Sequence, residues 1–310
     1  WPPLWLTKAW APDHGFDSRP VVSFSLALNF AADGLEVRGY HLVNIVVHLL
    51  CGFVLFSAVR RTLSGVRLRN HLEQRAADLL AFICTLLWLV HPVQSQCVNY
   101  ITQRSETIMG LFYLLVLYCT LRGTESERKG WYVAGVFFCA AGMASKETMV
   151  TAPVMAVIYD RVFWSASFTM ALRRRWAFYA GLSTTWILLA VLMWPGAHGP
   201  SLGYSLIGPW EYALNQLVVL VGYLRLIVWP YPLLHAYGAV DTSLSIGDVF
   251  PHAVTVAVLL ISTVAALWYR PMLGFLGAWF FLILLPTSSF VPIAGEVGAE
   301  RRLYLPLAGI

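Results

Sequence analysis

The sequence predicts an all-α polytopic membrane protein whose helices form a bundle, and three observations carry that reading. The 310 residues are 58% hydrophobic and 12% charged, with mean hydropathy +0.66, against about 25% charged in soluble domains. The apolar residues fall in blocks of roughly 15 to 20, the length a helix needs to cross about 30 Å of hydrocarbon. The roughly ten-residue alternating strands of a membrane β-barrel are missing.

Taken in order, the first block runs from about Tyr40 to Val59 and places His41, Asn44 and His48 on one helix face, at i, i+3 and i+7. Ala76 to Val90 follows and meets His91-Pro92 at its end; Glu106 to Leu121 begins beside Arg104. Trp131 to Ala144 and Thr148 to Tyr159 flank Lys146-Glu147. Trp176 to Trp194, Tyr212 to Trp229, Pro251 to Tyr269 and Met272 to Val291 complete the series. Blocks shorter than a full span cross by borrowing polar flanks, or end partway under a cover of protein.

Lys and Arg in short loops set the orientation. "RRTLSGVRLRNHLEQR" holds five arginines, "LRGTESERKG" three basic residues and "DRVFWSASFTMALRRRW" four. These alternate loops are assigned to the cytoplasm. "HPVQSQCVNYITQR", "SKET" and "PGAHGPSLGYSLIGP" then face outward, as does residues 1–39, the first external loop; residues 40–310 form the transmembrane domain. The block Tyr212 to Trp229 interrupts the alternation. A crossing there would leave "PYPLLHAYGAVDTSLSIGD", which has no Lys or Arg, in the cytoplasm and Arg225 within the bilayer. An interfacial or re-entrant segment is therefore preferred. By this topology 13 basic residues lie inside and 8 outside, among them Arg19, Arg104, Lys146, Arg301 and Arg302.

The net charge of +5 comes from basic residues in loops beside apolar blocks, which reflects topology and excludes a nucleic-acid partner. The five cysteines are scattered without metal-type spacing and predict no disulfide framework. A start without Met or a signal pattern, and an end inside a sequence turning apolar again, predict a piece cut at both ends.

External cations at helix ends suit a phosphate or pyrophosphate, because Arg offers a forked donor and Lys a compact charge. Lys146 either meets such an anion or pairs with its neighbour Glu147. His91 either caps its helix, binds a metal or donates to a phosphate, and Arg104 and Glu106 pair with each other or with Lys146. The His41, Asn44 and His48 face is read chiefly as interhelical hydrogen bonding; two histidines without a third ligand make weak zinc evidence. Asp13, Asp17, Asp33 and Glu36 supply carboxylates near the outer surface. Activation of an acceptor hydroxyl needs such a base, with or without a divalent cation, so the cofactor stays open.

In order, "SRPVVSFSLALNFAADGLEVRGYHLVNIVVHLL", "HPVQSQCVNYITQRSE", "SKETMVTAPVMAVIYD" and "AERRLYLP" resemble the signatures of the multi-spanning GT-C glycosyltransferases, in the branch joined to tetratricopeptide repeats that includes the eukaryotic O-mannosyltransferases and bacterial relatives. The resemblance implies transfer of a sugar from a polyprenyl-phosphate donor in the membrane lipid to a hydroxyl on an external acceptor, protein Ser or Thr. It implies donor-phosphate binding by Lys146, Arg301, Arg302 and Arg104, and a site shaped by His91, Glu106, Glu147, Glu300 and Arg19. The family's catalytic Asp pair falls before Trp1 by this register, leaving Asp13 and Asp17 as substitutes. Gln96 stands where relatives carry an acid. A bacterial inner membrane, with the site facing the periplasm or exterior, is the expected location. A lipid or glycan acceptor is the alternative within the fold, and a transporter or lipid flippase the alternative outside it.

Overall fold

A computed structural model describes residues 19–65, 72–193, 208–234, 237–289 and 296–309. Among them the chain is helical, as α1 (Pro20–Asp33), α2 (Val37–Leu63), α3 (Gln74–Val90), α4 (Ser95–Asn99), α5 (Arg104–Ser126) and α6 (Lys129–Met143). After these come α7 (Ala152–Phe163), α8 (Phe168–Arg174), α9 (Trp176–Leu192), α10 (Pro209–Val228), α11 (Ile246–Tyr269) and α12 (Pro271–Leu284). Short 3₁₀ turns occupy Pro92–Gln94, Ile101–Gln103, Glu147–Thr151, Glu300–Leu303 and Pro306–Gly309.

Every apolar block is a helix, with shifted limits. Proline punctuates several starts, since its fixed φ suits a first helical turn that needs no amide donor; α1, α7, α10 and α12 all carry it there. The last block is the largest correction, for α12 stops at Leu284 and a turn follows. The stretch expected as the first external loop contains helix. Its described part contains α1 and the opening of α2, and only Asp13 and Asp17, with the rest of residues 1–18, lie outside the described residues.

Among the described residues, four helices are long and apolar enough to cross a membrane, or up to six if each bent pair counts as one span. The pairs are α3 with the Pro92–Asn99 segment, bent by 51°, and α8 with α9, bent by 89°. Burial sorts the spans: the apolar window of α5 is 72% buried and that of α11 only 11%. Thus α5 is the central post and α11 a peripheral helix. Leu42, Phe53, Leu87, Phe137, Ile187 and Ile261 are exposed, a density of bare apolar side chains that water would not tolerate and lipid does. Around α5, Met109, Tyr113, Met149, Met155 and Trp279 form the core.

The loops gather at two opposite ends. At one, Arg60 pairs with Asp78, Arg61 and Arg122 share Glu125, Arg174 pairs with Glu127, and Arg175 reaches the buried Asp160. These are the arginine-rich loops that the charge count groups together. At the other end, the start of α2, the end of α3, the start of α5, the α6–α7 turn and residues 296–306 converge.

Helix α10 belongs to that second end along its whole length. Tyr212 donates to Thr287 O at 2.9 Å, Gln216 to Val297 O at 2.7 Å and Tyr223 to Ala299 O at 2.9 Å. Near its end, His91 Nε2 meets Ile227 O at 3.1 Å. Although its length would allow a crossing, both ends are tied to one face of the bundle. Arg225 is exposed there.

Candidate functional site

The α6–α7 turn sets the first part of the site. Lys146 has extended backbone, φ −163° and ψ 144°, so successive side chains point to opposite sides. Lys146 therefore turns to Glu106 in the first turn of α5, while Glu147 turns to Arg19 just before α1. The neighbour pair of Lys146 with Glu147 does not form. The Lys146 and Glu106 side chains are 9% and 3% exposed, a burial that the pair's mutual attraction must offset. Arg19 Nη2 donates to both Glu147 oxygens, at 3.1 and 3.0 Å. Burial alone would raise the Glu147 carboxyl, but the Arg19 guanidinium and then Lys146 outweigh it and hold its pKa down to about 2.

Arg104 has a different place from the one expected. It is fully buried, with Nε donating to Asn44 Oδ1 at 2.8 Å, Nη1 to Ser25 O at 3.2 Å and to Asn29, and Nη2 to Tyr40 O at 2.9 Å. Every guanidinium nitrogen is engaged in tying α5 to α1 and α2, so the residue expected to bind the donor phosphate joins helices here. Asn44 also donates to Val98 O at 3.3 Å. His48 Nε2 lies 3.1 Å from Leu89 O, which only accepts, so that nitrogen donates; Nδ1 then accepts from the Tyr304 hydroxyl at 2.9 Å. His41 is half-buried and makes no hydrogen bond among the described residues. His91 caps the turn after α3, its Nδ1 accepting from Val93 N–H at 3.3 Å.

Residues 296–306 close the site from above α3 and α4. Gln96 Oε1 accepts the Arg301 N–H at 2.9 Å, and the Cys97 thiol approaches Arg301 O at 3.6 Å. The Arg301 side chain pairs with Glu296, and these side chains are 18% and 30% exposed. Arg302 is buried and donates to Thr287 O at 3.0 Å, Val297 O at 3.4 Å and Glu296 O at 3.2 Å. Glu300 accepts from Leu234 N–H and, at 3.5 Å, from the Tyr237 hydroxyl. Tyr304 anchors the segment: Trp88 Nε1 donates to its carbonyl at 2.9 Å, and its ring packs on Trp88 and His48. Gly110 permits this approach, since a Cβ there would lie 2.7 Å from the Tyr304 ring.

Two spaces result. Glu106, Lys146, Thr148, Thr287 and Arg302 line a cavity of about 10 Å³, room for about one water. Ser95, Gln96, Asn99, Tyr100, Leu233, Leu234 and Glu300 line an open groove of about 320 Å³. The buried Cys97 thiol feels the charges of Glu106, Lys146, Arg301 and Glu300. Lys146 thus shares a cavity with Arg302, whereas Arg301 lines neither space and meets the groove through its backbone N–H on Gln96. Among the described residues no group of three His, Cys, Asp or Glu side chains is placed to hold a metal.

Sequence reasoning missed Tyr304, Glu296, Asn29 and Tyr223. Tyr304 stood inside the quoted "AERRLYLP" motif, whose charges drew the attention; nothing in the sequence marks Asn29 as the acceptor for Arg104.

A family model described as dolichyl-phosphate-mannose-protein mannosyltransferase matches residues 13–194. The chain is similar to protein O-mannosyl-transferase TMTC4 of Mus musculus, 26% identical over 345 residues that cover 94% of this chain and 46% of that protein. It is also similar to protein O-mannosyl-transferase tmtc2 of Xenopus laevis, 30% identical over 46% of this chain and 16% of that protein. To TMTC4 of Homo sapiens it is 32% identical over 46% of this chain and 20% of that protein. The chain spans less than half the length of these relatives. No solved structure matches it.

Proposed function

Because the chain belongs to the dolichyl-phosphate-mannose-protein mannosyltransferase family, we propose that it acts as a glycosyltransferase, moving a sugar from a polyprenyl-phosphate donor to a Ser or Thr hydroxyl of an external protein acceptor. The observation that carries this reading is the convergence of Lys146, Arg301 and Arg302, each with acidic or carbonyl partners, at the end of the bundle opposite the arginine-rich loops. The positive-inside rule assigns the arginine-rich end to the cytoplasm and this end to the exterior. The similarity to protein O-mannosyl-transferases favours a protein acceptor over a lipid or glycan. A transport pathway would need charges distributed across the membrane, whereas these cations share one end.

In the transfer, the bond from the sugar's anomeric carbon to the phosphate oxygen breaks as the acceptor oxygen bonds to that carbon. The phosphate leaves with the electron pair, and a carboxylate base takes the hydroxyl proton. Asp13 and Asp17 stay candidates for that base, outside the described residues. Arg301 is the cation best disposed to meet the leaving phosphate, because its Glu296 partner is partly exposed and can yield to a stronger anion. Lys146 and Arg302 add positive potential from beneath, and such fixed charges stabilise charge developing on a leaving group. Glu106, Glu147 and Glu300 hold these cations and the surrounding turns in place.

The test uses the full-length protein in lipid nanodiscs with a labelled polyprenyl-phosphate sugar and an acceptor peptide. Arg301→Ala is expected to lower transfer about 10²- to 10³-fold, the loss usual for one electrostatic contact to a transition state. Unchanged transfer and unchanged donor binding would remove Arg301 from the site.

A further inference from the structure

We propose that the open groove between α4 and the Leu233-Leu234 segment seats the donor's sugar ring, a neutral polyhydroxylated group of hexose size. The inference rests on the transferase reading above and adds a subsite to it. The groove's lining contains no Lys or Arg, so it has no attraction of its own for a phosphate. It does contain the hydroxyl of Ser95, the amides of Gln96 and Asn99, the phenol of Tyr100 and the carboxylate of Glu300. Together these offer both donors and acceptors, the mixture that a ring bearing many hydroxyls requires. Leu233, Leu234 and the Tyr100 ring supply apolar surface for the C–H face of a sugar.

Position argues the same way. Ser95, Asn99, Tyr100 and Leu234 are exposed at the rim, while Gln96 and Glu300 are buried at the floor. The Gln96 amide that reaches the floor also accepts the Arg301 N–H. One residue therefore joins the neutral groove to the backbone of Arg301, whose side chain pairs with Glu296. Glu300 is held by Leu234 N–H, so the two walls are fixed relative to each other before any ligand arrives. At about 320 Å³ the space sits at the small end of the roughly 300 to 1,000 Å³ typical of small-molecule sites. That favours one sugar over a stretch of acceptor peptide, which advances about 3.3 Å per residue and would overrun it.

The experiment measures the affinities of dolichyl phosphate mannose and of sugar-free dolichyl phosphate for the full-length protein in nanodiscs, and takes their ratio. Asn99→Ala and Tyr100→Ala are each expected to cut that ratio by about three- to tenfold, the effect of one neutral hydrogen bond or stacking contact. The sugar-free lipid should bind as before, which also reports that these surface variants remain folded. A ratio unchanged in both variants, with the wild type still binding the donor, would overturn the groove assignment and leave the transferase reading standing. Equal weakening of both lipids would do the same. A wild type that binds neither lipid would remove both.

Discussion

Lys146 and Glu147 are adjacent in the chain, yet one closes the floor of the cavity and the other clamps α1, because extended backbone at Lys146 sends their side chains apart. The two pairs should behave differently under mutation. Lys146→Met leaves the Glu106 carboxylate buried and uncompensated, and should destabilise the protein by about 3 to 5 kcal/mol. Adding Glu106→Gln should restore most of that loss, since a buried pair removed whole costs much less than one broken in half. Denaturant unfolding in detergent distinguishes the cases, and equal stability of the single and double variants would contradict the buried pairing. For Glu147, a folded pKa of about 2 against an ordinary 4.5 means the unfolded chain binds more protons between those values. Its contribution is complete above about pH 4.5 and is lost as pH falls toward 2. Glu147→Gln should therefore flatten the acid limb of the melting temperature against pH in that window, and an unchanged limb would contradict the Arg19 clamp. At this scale the sequence identified charged residues worth attention but could not pair them, since the partners lie as far apart as Arg19 and Glu147.

Helix α10 shows what element length alone leaves open. Its 20 residues would span a bilayer, but hydrogen bonds from Tyr212, Gln216 and Tyr223 run to the 287–299 segment, and His91 holds its end. Trp210 and Trp229 are both exposed. Cysteines placed at these two positions should react with a membrane-impermeant maleimide from the same side, while labelling from opposite sides would establish a crossing. The segment after α10 has no Lys or Arg, which favours an interfacial or re-entrant placement by the charge rule. The early stop of α12 was not readable, because the apolar run continues to Val291 while the chain turns at Leu285-Pro286. The helix α1 was also hidden, its short apolar run lying within a stretch otherwise marked by loop acids.

Across the whole molecule, two ends of opposite character follow from simple electrostatics. Basic loops retained on one side of a membrane must alternate with loops on the other, and the paired arginines at 60, 61, 122, 174 and 175 gather accordingly. Single cysteines at the exposed positions Arg174 and Asn99 are expected to label from opposite faces of the membrane. Labelling both from one face would invert the orientation on which the external site rests. The sequence by itself determined the membrane class, the long apolar helices and the grouping of loops, because hydropathy and charge act on each segment independently. Only the tertiary structure decided that Arg104 ties helices together, that Lys146 shares its cavity with Arg302 and that Arg301 pairs with Glu296. Those outcomes depend on which distant side chains meet, and a buried charge takes its role from the partner that packing brings to it.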